Sequence, residues 1–296
     1  FARGRERSRE LDDIVREAEQ LVERGHREIV LTGVNIGQFS NRKLGILELI
    51  QRLEAIPSLA RIRISSIEPT TIPEALLDYM STSTKLCRFL HVPLQSGDNG
   101  ILDAMNRRYT VEEYSEWVVR AARKVPDVCI GTDLMVGFPG EDGQRFAQTR
   151  AVVADLPLAY FHVFSYSARP GTAAIRLEPK VPTQTIKERS ANLSELSRVK
   201  RVEFYRRFMG RNMTVLFESS ESVGWWSGLT DNYIRVRVPS VAALANEIHS
   251  VHLTGVMGES AVGQPLFEED RSAKKRDILK TPKEGRDAQA LPLFCS

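Results

Sequence analysis

The chain has 296 residues, of which 27% are charged and 42% hydrophobic, and its formal net charge is +3 at pH 7. That composition is typical of a globular protein with one large core and a small accessory core, and the weak charge does not by itself imply a nucleic-acid partner. No apolar run approaches the roughly 20 residues of a membrane span, the start lacks a signal-peptide core, and three scattered cysteines give no disulfide framework. These features predict a cytoplasmic protein without a membrane partner.

The first half of the chain alternates helical and strand patterns. Apolar residues from Leu11 to Val22 recur with helical spacing and predict an amphipathic helix over Ser8–Arg24 that ends at Gly25. Further helical patterns lie at Leu44–Ala55, Pro73–Met80, Thr110–Lys124 and Gln144–Leu156. Between them, strand patterns start roughly 30 residues apart, as in units of a strand and a helix with parallel strands. They lie at Glu28–Ile36, Arg61–Glu68, Arg88–Gln95, Val128–Gly137 and Tyr160–Tyr166.

This order predicts an α/β fold for residues 1–208, built as a partial parallel (β/α) barrel. Because the chain starts at a helix, we expect the first strand of the barrel to be missing and the edge of the next strand to be unpaired. Thr185–Met209 closes this part as a long basic helix. Residues 209–267 carry short strand patterns between glycines and predict a small all-β barrel, whereas residues 268–296 are charge-rich without periodicity and predict a disordered tail.

Polar residues and glycines stand where the predicted strands end. In parallel barrels the active site lies at the carboxyl ends of the strands, so these residues are candidates for a ligand site, although polar strand ends also occur wherever a strand becomes a loop. Gly137 and Gly140 would let a flat ligand approach the backbone, which suggests a ligand of nucleoside size. The candidates from the strand ends are Asn35, Glu68, Gln95, Ser96, Asp133 and Gly137.

Histidine and cysteine residues give no metal-site pattern. His91 and His162 lie within apolar strand patterns and are interpreted as buried core histidines rather than ligands. Cys87 and Cys129 are interpreted as small buried hydrophobic residues, and Cys295 lies in the tail. We therefore predict no metal ligands in this chain, and the catalytic residues stay unassigned.

The small domain carries a candidate RNA-binding surface. Residues 233–238 alternate between apolar side chains and side chains that are basic or aromatic. A two-residue period places the apolar set inside and Tyr233, Arg235 and Arg237 in one outward row, unless this row is an ordinary solvated face. Aromatic and basic side chains together suit single-stranded RNA, through stacking and phosphate contacts.

Two further basic segments could bind anions. Arg3, Arg7 and Arg9 lie at the beginning of the first predicted helix, where free backbone N–H groups favour a phosphate or carboxylate, although a solvated basic start is the alternative. The basic helix around Lys187–Arg211 is the other candidate for RNA binding.

Several motifs resemble one enzyme family over residues 1–268. Leu90–Gly97 (LHVPLQSG) and Asp133–Glu141 (DLMVGFPGE) are the most specific, and together with other segments they resemble the radical S-adenosylmethionine methylthiotransferases. Leu31–Gly37 (LTGVNIG) is most similar to the branch acting on threonylcarbamoyladenosine in tRNA, and less similar to the isopentenyladenosine and ribosomal-protein branches. The small domain resembles the RNA-binding TRAM module. The other matching segments are Arg3–Arg9, Glu28–Phe39, Arg61–Pro69, Phe89–Asn99, Ala104–Thr110 and Tyr160–Thr172.

The resemblance implies S-adenosylmethionine, two [4Fe–4S] clusters in the full-length enzyme, tRNA as substrate and a reductant protein. One cluster, held by three cysteines, cleaves S-adenosylmethionine to a 5′-deoxyadenosyl radical that abstracts hydrogen from adenine C2. The second cluster, held by an N-terminal domain, takes part in sulfur delivery, and a second S-adenosylmethionine supplies the methyl group. Arg107 matches a family arginine and could pair with a ligand carboxylate or an RNA phosphate.

Neither cluster has its cysteine ligands in this chain, and no Met precedes Phe1. We therefore expect a fragment that lacks the N-terminal domain and the cluster motif and has no radical activity alone. Three alternatives stay open at this stage: a methylthiotransferase acting on isopentenyladenosine tRNA or a ribosomal protein, an RNA-binding protein with a catalytically silent barrel, and an iron-free barrel enzyme using S-adenosylmethionine or another nucleotide. The oligomeric state is also open.

Overall fold

The computed structural model of the chain describes residues 7–33, 35–222, 224–266 and 289–292. In the first part, helices alternate with strands: α1 (Leu11–Glu23), β1 (Glu28–Thr32), α2 (Ile46–Glu54), β2 (Arg61–Ile64), α3 (Glu74–Thr82), β3 (Phe89–His91), α4 (Asn99–Ala104), α5 (Val111–Lys124), β4 (Cys129–Val136), α6 (Gly143–Asp155), β5 (Tyr160–Ser165) and α7 (Thr183–Arg206). The second part contains β6 (Asn212–Ser222), β7 (Trp225–Thr230), β8 (Arg235–Pro239), β9 (Ile248–Met257), β10 (Ser260–Leu266) and β11 (Gln289–Pro292).

The first part is a partial parallel (β/α) barrel, as the sequence predicts. Strand β1 pairs in parallel with β2, and β4 pairs in parallel with β3 and β5. Backbone hydrogen bonds join β2 to the segment just before β3: Ile62 N donates to Lys85 O and Cys87 N donates to Ile62 O, each at 2.8 Å. The strands therefore follow the spatial order β1-β2-β3-β4-β5, and their carboxyl ends share one edge.

The local sequence signals account for the helices of this barrel. In α1 the residues with helical spacing are buried, including Leu11, Ile14 and Leu21, and Gly25 follows the helix with a φ of +96°. Helix α5 starts with the predicted capping box, in which Thr110 N donates to Glu113 Oε2 at 2.8 Å and Glu113 N donates to Thr110 Oγ1 at 3.2 Å. None of the helices in the described ranges combines the length and apolar character that crossing a membrane requires.

The outer edge of β1 is paired, contrary to the expectation of an unpaired edge. Strand β11 runs parallel to β1, with Ile29 opposite Gln289 and Thr32 opposite Pro292. These four residues belong to the segment predicted to be disordered, and they form a strand instead. The rest of that segment, residues 268–288 and 293–296, lies outside the described residues.

Strands β6 to β10 form a closed barrel with the strand order β10-β8-β7-β6-β9. Strand patterns in the sequence predict three of these strands: Thr214–Glu218 lies within β6, His249–Leu253 lies within β9, and Tyr233–Val238 overlaps β8, whereas β7 and β10 carry no such pattern. The apolar set of the predicted alternation faces inward, since Ile234, Val236 and Val238 are all fully buried. This small barrel packs against the end of the larger barrel at which the parallel strands begin.

A buried ionic cluster connects the two barrels. Glu28 accepts hydrogen bonds from Arg63 Nε at 2.7 Å and Nη2 at 3.2 Å, and its carboxylate lies 3.8 Å from Arg61. All three side chains are at most 6% exposed. The two guanidinium groups also donate to carbonyl oxygens of the small barrel, those of Thr214, Leu229, Thr230 and Asp231.

Helix α7 contacts both barrels along its length. Near its start, Arg189 Nη1 donates to Glu141 Oε1 at 2.6 Å, and Ile186 packs against Gly137. Near its end, Arg235 N donates to Tyr205 Oη at 3.2 Å. The helix is therefore anchored to the β4–α6 loop at one end and to β8 at the other.

Candidate ligand site at the mouth of the barrel

A cavity of about 650 Å³ opens at the carboxyl ends of β3, β4 and β5, and we call it the mouth cavity. Its size lies within the range of small-molecule sites, and its lining is mostly apolar and aromatic with a few polar groups. The residues used below are Gln95, Arg107, Met135, Phe138, Phe164, Tyr166 and Arg169.

Two of the predicted ligand residues line the mouth cavity. Gln95 has a left-handed φ of +74° and is held by Asp133 O and Met135 N on β4, at 2.7 and 2.8 Å. Arg107, after α4, forms an ion pair with Glu68 across the cavity rim, with Nη1 3.2 Å from Oε1. Both partners of this pair are about 30% exposed, so the two charges stay accessible to a ligand.

The Tyr166 hydroxyl is a further candidate contact. Its oxygen is buried and finds no hydrogen-bond partner among the residues that the structure describes. Its ring meets Phe138 edge-on, with the ring centroids 5.3 Å apart. Because a buried hydroxyl without a partner is costly, this group is suited to a polar ligand that reaches it.

Five predicted ligand residues do not line the cavity: Glu68, which pairs with Arg107, Asp133, which is described below, and Asn35, Ser96 and Gly137. Asn35 is 8% exposed, and its Oδ1 accepts from Thr71 Oγ1 at 2.9 Å. Ser96 is 1% exposed and faces Thr149, with the two hydroxyl oxygens 3.4 Å apart. Gly137 has a φ of +81°, and a Cβ there would lie 2.4 Å from Ile186, so this glycine serves the turn and the contact with α7.

Asp133 lies one layer deeper in the barrel, beside two histidines. His91 Nε2 and His162 Nδ1 both donate to Asp133 Oδ1, at 2.9 and 3.2 Å. Burial raises the pKa of Asp133, but the hydrogen bonds from His162 and His91 outweigh it and hold the pKa well below its usual range. The interpretation of both histidines as core residues is wrong for His162, whose side chain is 53% exposed.

The register of β4 and β5 explains this arrangement. Asp133 pairs with His162 and Met135 pairs with Phe164, so the inward side chains form successive layers below the mouth cavity. The intervening Leu134 and Val136 point away and are fully buried. The sequence motifs contain all of these residues. Which of their side chains point into the barrel becomes clear only from the pairing of β4 with β5 in the structure.

The described cysteines cannot ligate an iron–sulfur cluster. Cys87 and Cys129 are 1% and 2% exposed and belong to the core between the two barrels, away from the mouth cavity. Burial raises the pKa of each thiol to about 12, which disfavours the thiolate that a cluster needs. Their interpretation as buried residues is confirmed, and Cys295 lies outside the described residues.

The predicted RNA-binding residues do not form a single row. Arg235 is exposed, whereas Arg237 is half-buried, with its guanidinium 5.4 Å from the centroid of the Trp225 ring. Tyr233 has a φ of +64° and packs against the larger barrel, with its ring centroid 4.2 Å from that of Phe89. The prediction that Tyr233 stacks on a base from an outward row is therefore wrong, because its ring fills the interface.

The basic start of the chain is partly described. Arg3 lies outside the described residues, and Arg7 is exposed ahead of α1. Arg9 Nη1 forms an ion pair with Glu17 Oε2 at 2.6 Å. The helix starts at Leu11 rather than at Ser8, so Arg7 and Arg9 precede its N-terminus instead of forming part of it.

Comparison with known proteins gives consistent matches. Residues 1–153 match the family model of the radical SAM superfamily. The threonylcarbamoyladenosine tRNA methylthiotransferase MtaB of Aquifex aeolicus is 37% identical over 80% of this chain and 57% of its own length. The tRNA-2-methylthio-N(6)-dimethylallyladenosine synthase of Acetivibrio thermocellus is 34% identical over 89% of this chain and 56% of its own length. This chain thus spans little more than half the length of these relatives.

Among solved structures, the coproporphyrinogen III oxidase HemN of Escherichia coli, described as a radical SAM enzyme, matches with a TM-score of 0.44. The identity is 19%, and the match covers 68% of this chain and 47% of that one.

Proposed function

The chain belongs to the radical SAM superfamily, and we propose that it forms the barrel and the RNA-binding module of a tRNA methylthiotransferase. We further propose that the enzyme adds a methylthio group to C2 of N6-threonylcarbamoyladenosine in tRNA. The observation that carries this proposal is the mouth cavity, which has aromatic walls and an accessible cation, Arg107, paired with Glu68 beside the cavity, in a chain with relatives named for this reaction.

The mouth cavity fits S-adenosylmethionine, which when bound supplies the 5′-deoxyadenosyl and methyl groups. Its amino-acid end is a zwitterion, and the Arg107–Glu68 pair offers one group for each charge: the guanidinium for the carboxylate and the carboxylate for the ammonium. Gln95 and the Tyr166 hydroxyl would supply hydrogen bonds to the nucleoside end. Phe138 and Phe164 exclude water around the ligand.

Arg169 favours threonylcarbamoyladenosine over isopentenyladenosine as substrate. The threonyl group carries a carboxylate that can pair with a cation, whereas the isopentenyl group is apolar and has no group that can do so. Arg169 is exposed and lines the mouth cavity on the loop that follows β5. We propose that its guanidinium pairs with the threonyl carboxylate and so selects the modified base.

The iron–sulfur cluster does not fit the described residues, since Cys87 and Cys129 are buried thiols in another part of the fold. We therefore expect this chain alone to bind its ligands without radical activity, and we assign no step of the reaction to its cysteines. A tRNA-binding role without catalysis is the second candidate function, and the exposed Arg235 on the small barrel favours it.

For RNA, we propose that the small barrel supplies the contact through Arg235. Its side chain is exposed on β8, and the strand is fixed by the inward Val236 and by the Tyr205 hydroxyl. Phosphate contacts of this kind position the RNA without reading its sequence.

A chimera tests the proposal. The part of the Aquifex aeolicus relative that this chain does not match is fused ahead of it, and tRNA from a host without this modification is analysed by nucleoside mass spectrometry. We expect 2-methylthio-N6-threonylcarbamoyladenosine, and we expect Arg169→Gln to reduce it strongly while leaving S-adenosylmethionine cleavage intact. The matched control, Arg150→Gln, removes an exposed arginine that binds Asn192 far from the mouth cavity.

The other outcomes of this experiment contradict specific parts of the proposal. Methylthiolation of isopentenyladenosine alone would overturn the assigned substrate. Tight tRNA binding without any methylthio product would support the non-catalytic alternative.

A further inference from the structure

The cluster of His91, Asp133 and His162 has the composition of a metal site. One nitrogen from each histidine and one carboxylate oxygen lie within 4.8 Å of one another. Two imidazoles and one carboxylate are the ligand set of mononuclear sites that bind Fe²⁺ and similar ions with open coordination positions. The structure places all three groups on adjacent strands, since β4 lies between β3 and β5.

The distances between the candidate ligand atoms are close to those expected around a bound metal ion, so little movement of the side chains is needed. Two ligand atoms each about 2.1 Å from a metal, at right angles, lie about 3.0 Å apart. Asp133 Oδ1 is 2.9 Å from His91 Nε2 and 3.2 Å from His162 Nδ1. Only the two imidazoles must approach each other, and their ring centroids are 5.3 Å apart.

The surroundings support the same assignment. His91 Nδ1 lies 3.2 Å from the Tyr160 hydroxyl, which can accept a hydrogen bond from Nδ1–H in the tautomer that leaves Nε2 free to ligate. On the other side, His162 faces an open cavity of about 510 Å³, which gives an ion and its water ligands a route to the site. His91 is buried and Asp133 is partly buried, so the site is shielded from solvent on the side that faces β3 and β4.

We propose that His91, Asp133 and His162 bind one divalent transition-metal ion inside the barrel. The ligands are His91 Nε2, Asp133 Oδ1 and His162 Nδ1, and water completes the coordination. Binding replaces the two N–H···O hydrogen bonds: each neutral imidazole carries its proton on its other ring nitrogen, Nδ1 of His91 and Nε2 of His162, and the Asp133 carboxylate neutralises part of the charge of the metal. This site uses no cysteine and is independent of the methylthiotransferase proposal.

Anaerobic titration with Co²⁺ and with Zn²⁺ tests the proposal directly. The protein carries Cys295→Ser, so that a thiol outside the described residues does not contribute. We expect one ion per chain, visible Co²⁺ absorption without a thiolate charge-transfer band, and a higher melting temperature with Zn²⁺. His91→Gln and Asp133→Asn should each weaken binding by at least about tenfold. The matched control, His249→Gln, removes a histidine that binds Glu247 in the small barrel and should change nothing.

One variant tests the geometry by gain of a signal. His162→Cys, at a half-exposed position, should keep the metal and add a thiolate-to-Co²⁺ charge-transfer band. The proposal is overturned if the unsubstituted protein binds no Co²⁺, if binding is unchanged in His91→Gln and Asp133→Asn, or if His162→Cys gives no such band. In any of these cases the three residues are a hydrogen-bonded triad only.

Discussion

Glu28→Gln should destabilise the protein strongly, because it removes the only carboxylate of the described residues that lies within 4 Å of both Arg61 and Arg63. Arg63 donates two hydrogen bonds to Glu28, and charge-assisted hydrogen bonds contribute about 1.5–3 kcal/mol each. Glutamine keeps one acceptor oxygen but no charge, and the carbonyl groups of the small barrel still accept from both guanidiniums. We expect a loss of about 3 kcal/mol, near the lower end for a buried pair that loses one partner.

Urea denaturation followed by circular dichroism measures this loss, with the Glu195→Gln variant as matched control. Glu195 forms an exposed ion pair with Arg198 on α7, so its variant should unfold at the same urea concentration as the unsubstituted protein. A loss below about 1 kcal/mol for Glu28→Gln would refute the reasoning, since it would mean that the two buried guanidiniums are adequately paired without Glu28.

Three further predictions concern the small barrel and its contacts. Burial and Arg88 have opposite effects on the pKa of Asp231: burial raises it, the hydrogen bonds from Arg88 lower it by more, and the net pKa is below its usual value. Its contribution to stability is therefore present above the unfolded-state pKa of about 4 and is lost as the pH falls through the lower folded value, so Asp231→Asn should flatten the acid side of the stability–pH curve; an unchanged curve contradicts this. Val236→Asp places a charge at a fully buried position and should unfold the small barrel by near-ultraviolet circular dichroism, whereas Val241→Asp, at a fully exposed position, should not. Arg235→Ala should lower the slope of log K for tRNA against log salt by up to about one unit, and an unchanged slope would move the RNA contact to the basic helix.

Local signals in the sequence were sufficient for most of the larger barrel. Helical spacing from Leu11 to Val22 and the Thr110–Glu113 capping box depend on neighbours within a few residues, and both were found as predicted. Strand β7 was not predicted, because a contact with a distant segment determines part of its sequence. Its Gly228 is required because a Cβ there would lie 2.2 Å from Leu216 O of β6, and glycine in a strand weakens the pattern by which strands are recognised.

The site was predicted less completely, because contacts between distant segments decide it. Gln95 and Arg107 were identified from motifs, but Ser96, its neighbour in sequence, faces Thr149 instead. Tyr233 continued an alternating pattern and so was assigned to the outer surface. The positive φ of Tyr233 turns its ring toward Phe89. A two-residue alternation assumes extended backbone and therefore does not predict this direction.

Helix α7 sets the distance between the mouth of the larger barrel and strand β8 of the small barrel. Arg189, bound to Glu141 beside the barrel mouth, and Tyr205, bound to β8, are 16 residues apart in one unbroken helix. At 1.5 Å per residue, the two anchor points are about 24 Å apart. If the small barrel binds tRNA as we propose, this fixed separation sets how far from the bound phosphates a nucleotide must lie in order to reach the mouth cavity.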